Sequence, residues 1–138
     1  MDFSSFEPHE LTALSKALHF IKFESEDSGA STIAGSPILG ALYAKSTEIL
    51  WQKAAASGAG PTKFFMANGW PSIDNDAEKL TVLKFHIAQV EGWNDLAESV
   101  QRGFISDLIY PLKATEQTLD SLLSFGNEHH SPEAGITR

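Results

Sequence analysis

The sequence predicts an all-α fold, a mostly antiparallel bundle of about four helices built on one long helix. Three observations lead there. Large apolar residues recur at spacings of three, four and seven, so they line helix faces rather than strand faces. No alternating run is long enough to make a strand. Most Pro and Gly residues fall between the periodic stretches, where helices begin and end.

The first helix is expected over 8–24. Pro8 suits a first turn, where its missing N–H costs nothing, and Leu11, Leu14, Leu18 and Ile21 form its stripe. Glu7 and Glu10 sit near the positive end of the helix dipole and Lys22 near the negative end. Phe20 and Phe23 lie off that stripe and need cover from elsewhere. Residues 25–35 are small and polar and predict a linker. Ser36-Pro37 then starts a second helix, which runs to about Ser57 and is marked by Ile38, Leu42 and Ile49 with the neighbouring Leu39, Tyr43 and Leu50.

Residues 58–75 combine helix breakers with core-type side chains. Gly58, Gly60, Pro61, Gly69 and Pro71 interrupt regular structure, yet Phe64, Phe65, Met66, Trp70 and Ile73 want burial. A lid over the open end of the bundle fits that mixture. The long helix is expected over 76–109, started by the capping-box spacing of Asn75 and Glu78. Leu83, Val90, Ala97 and Phe104 recur every seven residues along it, and His86, Trp93 and Val100 follow three behind. After Pro111, Leu112, Leu119, Leu122 and Leu123 carry a final helix that Gly126-Asn127 should stop. Residues 1–126 thus read as one helical domain, and 127–138 as a flexible tail.

Composition removes several kinds of function. Ten Lys and Arg against 18 Asp and Glu give a net charge of −8, which opposes binding to nucleic acid and to anionic membranes. No apolar run approaches the ~20 residues a membrane helix needs, and no basic-then-apolar leader is evident. With no cysteine, disulfides and thiolate metal sites are excluded, and a cytoplasmic location fits. No cofactor or metal is expected. The Glu-x-x-His pairs of di-iron bundles are missing, as is His-Glu-x-x-His. Gly58-Ala-Gly60-Pro-Thr-Lys63 lacks the phosphate-loop spacing, and no Gly-x-Ser-x-Gly occurs.

What is left is contact chemistry. Thr81, Ala88, Gly92, Ser99 and Gly103 would share one sector of the long helix, a groove of small side chains. Each mid-helix Gly costs ~1 kcal/mol against Ala, so close approach of another helix should offset it. That helix belongs either to the same chain or to a partner, which makes this the candidate dimer or partner face. His86 occupies a place where a Leu would normally stand. It is either a hydrogen-bonded core-edge residue or a ligand-facing, pH-responsive group. Trp51, Phe64, Phe65, Trp70, His86 and Trp93 are the candidate ligand pocket, although such aromatics also fill small cores. The function expected is protein–protein interaction or self-association, of regulatory, adaptor or toxin-neutralising type, rather than catalysis. The alternative is a small-molecule-binding bundle or an enzyme with an aromatic pocket near His86.

Overall fold

The computed structural model describes residues 5–56 and 69–131. Among them are six α-helices: α1 (Pro8–Phe23), α2 (Ser28–Ala34), α3 (Pro37–Ala56), α4 (Ala77–Ala88), α5 (Glu98–Ile109) and α6 (Glu116–His129). No strand occurs among the described residues; an isolated parallel bridge joins Ser72 and Lys113. No helix there is long and apolar enough to cross a membrane.

α1 begins as its sequence implies, with Pro8 in the first turn and Glu10 Oε1 accepting from the Glu7 N–H at 2.8 Å. Leu11, Leu18, Lys22 and Phe23 face inward, while Phe20 stays 54% exposed. α2 replaces most of the expected linker. Its N-cap is Asp27, whose Oδ1 accepts from the Gly29 N–H at 2.6 Å. Small residues with one capping carboxylate are enough for two turns when the helix lies against neighbours.

α3 runs antiparallel to α1. Ser15 Oγ meets Thr47 Oγ1 at 2.7 Å, the rings of His19 and Tyr43 lie 5.8 Å apart, and Lys22 Nζ comes close to Gly40. Of the expected apolar set, Tyr43 and Leu39 turn to the core, but Ile38 and Leu42 do not. Gly40, Tyr43, Ala44, Ser46 and Thr47 are buried, whereas Ile38 is 74% exposed and Leu42 36%. Small residues face inward because they let the two backbones approach closely, which a row of Ile and Leu would prevent.

The single long helix over 76–109 is not formed. α4 ends at Ala88, and Gly92 takes φ 72°, a left-handed conformation that favours glycine. A short 3₁₀ turn, Trp93–Asp95, follows before α5 begins. The Trp93 carbonyl, freed from a continuous helix, accepts from the buried Gln101 Nε2 at 2.8 Å. The break puts the Trp93 indole in the core at 1% exposure and leaves Ala97 and Val100 facing solvent. Asp76 rather than Asn75 caps α4, accepting from the Lys79 N–H at 3.1 Å.

α4 joins two groups. It packs on α1 and α2 on one side and on α5 and α6 on the other. Leu83, Ile87, Trp93, Ile105, Leu108 and Leu122 fill the core with Leu18, Phe23 and Ile73 from elsewhere in the chain. Asp74 fastens the segment before α4 to the start of α6. Its Oδ1 accepts from the Thr115 N–H at 3.0 Å and the Thr118 hydroxyl at 2.7 Å, and these bonds hold its carboxyl below the usual range. α6 continues through Asn127 to His129, residues expected in the tail, because they close over Trp93. Gly126 is required there, since a Cβ would stand 2.8 Å from the Trp93 ring. The Trp93 Nε1–H donates to Asn127 Oδ1 at 3.1 Å, and His130 stacks on the indole while its Nε2 donates to the Ile87 carbonyl at 3.0 Å.

Candidate functional site

Breaking the long helix scatters the small-residue row. Thr81 is exposed on α4 and bonds back to the Ala77 carbonyl at 2.9 Å. Ala88 ends that helix and Gly92 belongs to the left-handed turn. Ser99 and Gly103 are exposed on α5, where a Cβ on Gly103 would meet nothing within 4 Å. The five residues do not share one helix face, so they form no continuous groove. Close helix approach through small side chains does occur, but on α3.

The aromatic candidates also separate. Trp51 and Trp70 come together with ring centres 4.6 Å apart; Trp70 also leans on Tyr43 and donates from Nε1 to Glu48 Oε2 at 3.2 Å. Trp93 keeps different company, edge-on to Phe104 and stacked on His130. Phe64 and Phe65 lie outside the described residues. His86 stands with neither tryptophan group.

His86 is fully buried and belongs to a cleft of about 420 Å³ between α2 and α4. Ser31 and Thr32 come from α2, Gln89 and Glu91 from the turn after α4, and Phe104 from α5. His86 Nδ1 lies 2.7 Å from Ser31 Oγ, while its buried Nε2 has no hydrogen-bond partner. Burial pulls the imidazole pKa below its ordinary value, and the nearby Lys22 charge adds to this. The Ile21 and Lys22 carbonyls and Glu26 pull the other way. At neutral pH the ring is therefore uncharged. As a neutral ring it takes the Ser31 proton at Nδ1 with Nε2 protonated. The Asp27 carbonyl, the other acceptor near that hydroxyl, is farther off at 3.3 Å, and the Ile21 and Lys22 carbonyls by the ring favour a proton on Nε2.

A serine hydroxyl against a neutral imidazole is the first half of a nucleophile–base pair. The second half is missing, because no carboxylate bonds the other ring nitrogen; the Ile21 and Lys22 carbonyls lie by the ring instead. Such a pair holds a hydroxyl in place at the edge of a cleft without activating it for attack. His19 pairs with Glu24 at 2.9 Å, far in role from His86, and no group of three His, Asp or Glu side chains gathers among the described residues.

Lys22, unremarked in sequence except as a dipole partner, is also fully buried. Its ammonium donates to the Ala34 carbonyl at 2.9 Å and the Asp107 carbonyl at 2.8 Å, in the last turns of α2 and α5. Those are carbonyls a helix leaves without internal partners, at the negative ends of two dipoles. Burial brings its pKa down to about 8, opposed by the Asp107 carboxylate.

The outer side of α3 is the other feature that composition alone did not place. Ile38, Leu42, Lys45 and Ile49 follow at spacings of four, three and four, directly opposite the buried Gly40, Tyr43, Ala44 and Thr47. Ile38 and Leu42 are exposed and Ile49 is half-buried. In the sequence this row is an apolar stripe that helix periodicity alone cannot tell from a core face. The chain matches no protein-family model, no curated protein and no solved structure.

Proposed function

We propose that the protein acts by protein–protein contact rather than catalysis, that its partner is a second copy of itself, and that the outer face of α3 makes the contact. The observation that carries this is the exposure of Ile38, at 74%, on the outer side of α3 in one row with Leu42 and Ile49. A row of this kind is the seam that helices use to pair. Its spacing is symmetric about the point between Tyr43 and Ala44. A second α3 laid antiparallel therefore matches residue for residue: Ile38 faces Ile49 of the other copy, and Leu42 lies along the Lys45 stem. Lysines do not oppose one another in this register. The apolar area is small and each copy carries a net charge of −8, so the pair is weak and concentration-dependent. The same charge speaks against nucleic acid and anionic lipid as partners, and a chain without cysteine suits the cytoplasm.

Sedimentation velocity across a concentration series tests this. The mass is expected to rise from one copy towards two. The double variant Ile38→Lys, Leu42→Lys should stay at one copy with an unchanged melting temperature, since both positions face solvent. Wild-type protein that remains a single copy at the highest attainable concentration, or a double variant that pairs equally well, overturns the proposal.

A further inference from the structure

The cleft between α2 and α4 shares no residue with the outer face of α3 and has a chemistry of its own. We propose that it binds a small neutral polyhydroxylated ring, a hexose or an inositol in size and kind, seated on Phe104 and held by Ser31, Thr32 and Gln89. At about 420 Å³ the cleft falls in the range of small-molecule sites. Its floor is a polar pair, His86 and Ser31, where packing alone would be served by a Leu and an Ala. His86 accepts the Ser31 proton, which leaves the serine oxygen free to accept from a ligand hydroxyl.

The charges in the cleft select among ligands. No Lys or Arg lines it, Glu91 does, and the chain as a whole is acidic, so phosphate and carboxylate ligands are repelled. The Ser31 and Thr32 hydroxyls accept, their protons committed to His86 and to the Gly29 carbonyl at 2.7 Å. The Gln89 amide both donates and accepts, which suits a ligand whose own groups do both. Phe104 and Val90 supply an apolar wall for the C–H face of such a ring. A cation would have one solvent-exposed carboxylate to bind, and water screens that attraction.

The test is a titration of ¹⁵N-labelled protein with D-glucose and, separately, myo-inositol, followed by amide chemical shifts. It uses the Ile38→Lys, Leu42→Lys background so that self-association plays no part. Saturable shifts are expected from at least one of the two, concentrated at residues 28–32, 86, 89–91 and 104. Thr32→Val and Gln89→Leu should each weaken binding by about fivefold, the worth of one hydrogen bond. Both side chains sit at the surface, so neither change threatens the fold. The proposal is overturned if neither sugar nor inositol gives saturable shifts, or if the two variants bind as tightly as their parent. Saturable binding of tetramethylammonium without either polyol also overturns it, in favour of a cation site at Glu91 and Phe104.

Discussion

The regions around Lys22 and His86 each bury a basic side chain completely, and they do so in opposite ways. Lys22 stays charged at neutral pH and spends its protons on two carbonyls that would otherwise be orphaned at helix ends. His86 sheds its charge, with one nitrogen bonded to Ser31 and the Ile21 and Lys22 carbonyls near the ring but outside good hydrogen-bond geometry. The first arrangement is a fastener, because both hydrogen bonds of the ammonium tie one element of the fold to another. The second holds a serine hydroxyl at the edge of a cleft. Burial by itself does not separate structural polar groups from functional ones; what their hydrogen bonds hold in place does.

The largest effect that would break this contrast is at Lys22. Lys22→Met keeps the volume but strands the Ala34 and Asp107 carbonyls, and should lower stability by about 2–4 kcal/mol in urea titrations. A loss below about 0.5 kcal/mol would mean the lysine fastens nothing. Its titration adds a direction. The folded group has a pKa of about 8 against an ordinary 10.5, so between those values the unfolded chain holds a proton that the folded chain has released. Stability of the wild type relative to Lys22→Met therefore rises as pH rises through that window. A flat or falling difference would contradict the burial seen for this group.

Ser31→Ala should have a smaller effect, about 1–2 kcal/mol, by leaving the buried Nδ1 of His86 without its hydroxyl partner. If His86→Leu is then added, much of that loss should return. Failure of the second change to help would show that Ser31 contributes through α2 rather than through the imidazole. Smallest of all is His86→Leu alone, expected within about 1 kcal/mol of wild type, because the lost Ser31 bond is offset by burial of an apolar side chain in its place. The pH profile distinguishes it further. The folded imidazole titrates below its ordinary 6.5, so wild-type stability falls as pH drops through that value and below, and His86→Leu should lack that component.

How far the fold could be read from sequence depends on the kind of signal. The all-helical class was legible, as were the Pro8 and Pro37 starts and the inward Leu11, Leu18, Leu122 and Leu123. Periodicity identified an apolar stripe on α3 but could not say what it faces. The interior side is taken by Gly40 and Ala44 because α1 lies close, and that is a property of the pair of helices rather than of one. The break after Ala88 was hidden for a related reason. Heptad spacing from Leu83 to Phe104 is compatible with a straight helix, and only the burial of Trp93 under α6 decides for the turn at Gly92. His86 was singled out as anomalous among apolar neighbours. Its partner Ser31 lies 55 residues away, in a stretch whose small polar residues resemble a linker. Lys22 escaped because a lysine at a helix end has an ordinary explanation in the dipole.

The roof over Trp93 bears on the order in which the chain becomes itself on the ribosome. Gly126, Asn127 and His130 cover the indole, and they are made after every other described wall of the core. While they are still in the exit tunnel, α4 and α5 have already emerged with their largest side chain open to water. Folding of the inner layer must therefore wait on the last helix, and during that interval a nascent chain offers Trp93 to whatever chaperone is nearest.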